Sequence, residues 1–225
     1  MYNTCMKIVY TEKEIELLAQ HLGYQDVKKF RAYLARYGDM EDENKEENTN
    51  EKFVEIYGDR LFSQLEEIGE KIELSRLKEN ISIEDKILLV IKIVREFNKS
   101  YLLEKFKGKI DDEIAEGLTE YAYTHGMCNS LAYTLCRFFA QCENKLFLSS
   151  SYGHQCVKVN GMFYDINGVW TEDEMKDFVK LEGKNKDSEC SIADFPTSKG
   201  RQTLIDFVIE KFLEKYLVAE REKEI

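Results

Sequence analysis

Apolar residues recur at helical spacing through the first part of the chain. Ile15, Leu18, Leu22, Val27, Phe30 and Leu34 predict a helix over residues 11–37. The stretch "GDMEDENKEENTNEK" has no large apolar side chain except Met40, so it predicts an acidic loop over residues 38–52. Helical spacing resumes at Phe53, Ile56, Leu61 and Leu65. Ser82, three residues before Asp85, sets an N-cap ahead of "KILLVIKIVREF", which reads as a buried helix. A further short helix is predicted over residues 111–122.

The period then changes from helical to alternating. "NKLFLSS", "HQCVKVN" and "GMFYDIN" are short, rich in aromatic and β-branched residues, and bounded by turn residues. Asn160-Gly161 is a strong hairpin signal. With those two residues as the loop, Val159 pairs with Met162, Cys156 faces Asp165 and His154 faces Asn167. Val157, Val159, Met162, Tyr164 and Ile166 then share an apolar face. His154, Cys156, Lys158, Phe163, Asp165 and Asn167 share the other, whose plainest reading is a polar surface in solvent. Thr171 and Glu174 fit a capping box for a helix through Val179, and "GKNKDSECS" reads as a loop. Gln202–Ala219 is amphipathic, with Leu204, Val208, Phe212 and Tyr216 inward. Helices, then a small antiparallel sheet, then helices make an α+β fold. Its expected division is an N-terminal helical region, residues 1–80, and a core with a C-terminal helix, residues 81–225.

Charge narrows the function classes. The 225 residues carry a net charge of −11, which repels a nucleic-acid backbone. The longest apolar run, "ILLVIKIV", is interrupted by Lys92 and too short to cross a membrane. The N-terminus has no signal-peptide core, so the expected location is cytoplasmic, or outside by a route without a classical signal. The six cysteines include no CxxC pair, so a zinc ribbon or thioredoxin motif is not supported and free thiols are expected.

The candidate chemistry begins at "GMCNSLAYTLCRFF". Leu131, Ala132, Leu135, Cys136, Phe138, Phe139 and Cys142 form one helical stripe, and Cys128 heads it. A thiol at a helix start feels the positive end of the dipole, which lowers its pKa. A buried structural cysteine is the plainer role, and it fits Cys136 and Cys142 deeper in the stripe. Only His21, His125 and His154 can serve as a base. His154 shares its sheet face with Asp165 and Asn167, and a neighbouring carboxylate or amide fixes an imidazole's tautomer and orientation. Asp165 is the choice for that role and Asn167 the reserve, because a carboxylate stabilises an imidazolium far better than an amide. His125 is the fallback base. A metal site of His125, Cys128, His154 and Cys156 fits no zinc spacing, so neither metal nor cofactor is expected. Tyr123, Tyr152 and Trp170 are candidate cleft residues, with packing as their plainer role.

The blocks "GMCNSLAYTL", "GHQCVKV" and "NGMFYDING", in that order, resemble the motif blocks of the papain-like and transglutaminase-like superfamily. The resemblance covers about residues 120–170 and implies Cys128 as nucleophile, His154 as general base and acid, and Asp165 as the orienting residue. It implies acyl transfer at an amide or peptide bond of a protein or peptide substrate: proteolysis, amide hydrolysis, deamidation or transamidation. A catalytically inactive relative serving as a protein-interaction module is the alternative.

Overall fold

The structure, a computed structural model, describes residues 46–184, 189–196 and 202–221. The helix expected over residues 11–37 lies outside them. Helix α1 spans Glu46–Ile72 and is followed by a 3-10 turn, Leu74–Leu77. The expected loop over 38–52 is therefore helical from Glu46 onward. Residues 46–52 contain neither Pro nor Gly, and a helix already nucleated grows by one hydrogen bond per residue fixed.

Local signals fix the next boundaries. The Ser82 hydroxyl accepts the Asp85 N–H at 3.1 Å and starts α2, Ile83–Lys105. The Asp111 carboxylate accepts the Ile114 N–H at 2.9 Å and starts α3, Asp112–His125. Helix α4, Cys128–Phe138, begins after Gly126 and Met127 alone. Strands β1 (Glu143–Leu148), β2 (Gly153–Val159), β3 (Met162–Asp165) and β4 (Gly168–Trp170) follow. Helix α5, Glu172–Glu182, carries both halves of the Thr171/Glu174 capping box. Strand β5 (Ser191–Asp194) and helix α6 (Leu204–Arg221) complete the order.

The sheet has five antiparallel strands in the order β4-β3-β2-β1-β5. Asn160 and Gly161 both have positive φ, 49° and 85°, as a two-residue primed turn requires. Val159 pairs with Met162 and Val157 with Tyr164, the register expected from the turn. The outer strands β4 and β5 had no clear sequence signal, having three and four residues respectively. The stretch read as the loop "GKNKDSECS" runs into β5 at Ser191.

Both faces of this sheet are covered. Val157, Val159, Tyr164 and Ile166 join one core with buried residues of α1, α2, α4 and α6. Leu61, Leu65, Ile68 and Ile72 of α1 belong to it, so a division at residue 80 cuts through a shared core. On the other face, Phe147, Cys156 and Phe163 pack with Met175 and Val179 of α5. Of the face read as a polar surface, His154, Cys156, Phe163 and Asp165 are thus interior, while Asn167 stays exposed. Phe163 and Cys156 supply the apolar area that α5 covers.

Candidate active site

Three elements converge on Cys128. It is the first residue of α4, where the unsatisfied N–H groups give the positive end of the helix dipole. The residue is half-buried. Burial opposes ionisation of its thiol. A hydrogen bond and charge from His154, and the backbone N–H groups of Gln155 and Asn129, outweigh that and lower its pKa from 9.0. Among the five described cysteines the others move the opposite way. Burial raises Cys136 to about 12 and pushes Cys142, Cys156 and Cys190 up as well.

His154 lies on β2 with no exposed surface. Its Nε2–H donates to Asp165 Oδ2 at 2.8 Å. Nδ1, the nitrogen left for the thiol, lies 3.3 Å from the carbonyl oxygen of Thr124. That carbonyl belongs to the last turn of α3, the negative end of its dipole. A carboxylate at one nitrogen and a carbonyl at the other are both acceptors, so only the doubly protonated ring satisfies them together. Burial disfavours this charge, but hydrogen bonds to Asp165 and Cys128 and their negative charges override it, holding the ring pKa near 10. The turn from α3 into α4 therefore aims a negative helix end at the imidazole and a positive one at the sulfur.

Asp165 ends β3 with 2% of its surface exposed. Its Oδ1 accepts the Asn167 backbone N–H at 2.8 Å and the Trp170 indole N–H at 2.7 Å. Asn167 is exposed and meets Asp165 through its main chain, so the side chain bonded to His154 is that of Asp165. Arg95 on α2 secures this turn from behind. It donates to the Ile166 carbonyl at 2.9 Å and pairs with Glu116 and Glu120 of α3.

His125, the fallback base, is held by other partners. It ends α3, stacks on Tyr121 with centroids 4.2 Å apart, and lies 3.1 Å from Glu182. Tyr123 is fully buried and donates to Asp206 at 2.7 Å, tying α3 to α6. No group of three or more His, Cys, Asp or Glu is arranged for a metal among the described residues. No helix among them is long and apolar enough to cross a membrane.

Three contributors escape sequence reading. Phe178 of α5 packs edge-on against His154, with centroids 5.5 Å apart, and helps keep water from the ring. The Thr124 carbonyl is a main-chain atom without a side-chain signature. Trp170 is legible as an aromatic residue, but its bond to Asp165 depends on β4, which the sequence did not announce.

The description "Phage YunG-like protein" belongs to a family whose model matches residues 102–211, just under half of the chain. The matched part starts near the end of α2, stops within α6, and includes Cys128, His154 and Asp165. No curated protein and no solved structure matches the chain.

Proposed function

We propose that the chain is a cysteine-dependent acyl-transfer enzyme on a papain-like or transglutaminase-like core, acting on an amide or peptide bond of a protein or peptide. The observation that carries this reading is the contact of Cys128 with a His154 that is itself hydrogen-bonded to Asp165, with the thiol pKa lowered and the imidazole pKa raised. A structural cysteine in a core shows the opposite shift, as Cys136 does.

In the reaction, the Cys128 thiolate attacks the amide carbonyl carbon and the carbonyl electrons move onto oxygen. The Cys128 backbone N–H, at the start of α4, stabilises that oxyanion in this reading. Collapse breaks the C–N bond. His154 gives a proton to the leaving amine, and a thioester remains. His154 then takes a proton from water or from a second amine as it attacks, and the C–S bond breaks to return the thiolate. Asp165 holds the ring throughout and compensates its positive charge.

Alkylation at pH 6.5, with each cysteine followed by peptide mass spectrometry, tests the reading. Cys128 should react on the order of a hundredfold faster than the other thiols, as expected of a low-pKa site. His154→Ala should abolish the difference. Six thiols reacting alike would leave the interaction-module reading in its place.

A further inference from the structure

The Thr124 carbonyl serves two donors. His154 Nδ1 approaches its oxygen at 3.3 Å, and the Tyr152 hydroxyl donates to the same oxygen. Tyr152 lies two residues before His154, is 7% exposed, and holds its ring nearly parallel to the imidazole, 8° between planes at 6.3 Å. Phe178 packs edge-on against both rings, so their relative placement is fixed from a third side. A carbonyl oxygen offers two lone pairs. The Tyr152 hydroxyl takes one through a short bond, and the contact to Nδ1 is the longer of the two.

We propose that the Thr124 carbonyl is a fourth member of the site and that Tyr152 is a positioning residue, whose hydroxyl limits how strongly this carbonyl draws the His154 Nδ1–H away from Cys128. The inference rests on the acyl-transfer reading above. Without the hydroxyl, the carbonyl competes harder for the proton. The Nδ1–H turns toward Thr124, and the thiolate loses a hydrogen bond. Burial and the nearby charges of Cys128, Glu182 and Asp165 push the Tyr152 phenol far up, so it remains a donor across the working pH range.

The test is the pH profile of Cys128 alkylation by iodoacetamide in the full chain, for wild type, Tyr152→Phe and His154→Ala. The phenylalanine keeps the ring and removes only the hydroxyl. The expected result is a profile moved to higher pH in Tyr152→Phe, with Cys128 about three- to tenfold slower at pH 6, as for one lost hydrogen bond. Its rate at pH 9 should equal that of wild type. A merely structural loss would lower the rate at every pH. A wild-type profile in Tyr152→Phe, or a loss uniform across pH, overturns the proposal. If His154→Ala still removes the low-pH reactivity, the acyl-transfer reading survives that failure. If His154→Ala also leaves the profile unchanged, the reading falls and takes this inference with it. Nitrogen NMR of the wild-type His154 ring covers the case of a variant that does not fold. A protonated Nδ1 at pH 7 is expected, and an unprotonated Nδ1 overturns the proposal, since it has no proton to share.

Discussion

The indole N–H of Trp170 donates to Asp165 Oδ1 across 2.7 Å, on the oxygen that His154 does not use. This bond fills a buried acceptor beside the one that holds the imidazole. Trp170→Phe keeps a ring next to Phe178, now 5.6 Å away by centroids, and deletes the donor. Leaving a buried carboxylate oxygen short of a partner should cost about 1–3 kcal/mol of stability in urea unfolding. A Trp170→Phe protein as stable as wild type would show that the Asn167 N–H alone suffices.

Asp165 and Asn167 separate cleanly by substitution. Asp165→Asn keeps the shape but removes the charge that supports the imidazolium, so the His154 pKa falls and the thiolate fraction of Cys128 falls with it. A drop of at least one pKa unit corresponds to about tenfold slower alkylation at pH 6. Asn167→Ala retains the backbone N–H that Asp165 uses, so its rate should stay within about twofold of wild type. The opposite ranking in the same alkylation assay would assign the orienting role to Asn167.

The two shifted groups define a pH window for the ion pair. The Cys128 thiol is lowered from 9.0, so its thiolate forms below that pH. The His154 ring is raised from 6.5 to about 10, so it loses its proton only as the pH climbs through that value. Between the two, a cation sits beside the sulfur and attracts an anionic reagent. The ratio of iodoacetate to iodoacetamide rates at Cys128 should therefore be high at neutral pH and fall as the pH passes about 10. A ratio that is flat over this range would mean that the ring beside the sulfur is not charged.

The hairpin carries most of what was legible in advance. Asn160-Gly161 admits a turn with positive φ at both residues, and that turn fixes which residues share a face. His154 and Asp165 fall together by alternation alone. Capping residues Ser82 and Thr171 likewise mark their helix starts, because each side chain completes a local backbone bond. Burial of the His154 face was not legible. It depends on α5 crossing the sheet, and an alternating strand does not say what lies above its second face. Strands β4 and β5 are paired along one edge only, and their few residues show no period. The start of α1 resembles a loop by its acidic composition, whereas residues 46–52 hold no Pro or Gly to stop the helix.

Gly69 of α1 sets helix propensity against packing. Alanine in a helix interior is worth roughly 0.8–1.0 kcal/mol over glycine, so propensity alone favours Gly69→Ala. A Cβ at this position, however, would collide with Leu74 Cδ1 and meet Phe212 Cζ at 3.4 Å. Leu74 is 6% exposed and Phe212 is fully buried, both within the shared core, so neither has open space to enter. Overpacking of that kind costs about 1–3 kcal/mol, which outweighs the gain. Urea unfolding should show Gly69→Ala less stable than wild type at an unchanged m-value. Leu74→Ala makes room for the new methyl group, so the double substitution should lose less than the sum of the two single losses. Strict additivity would place the cost of Gly69→Ala somewhere other than against Leu74.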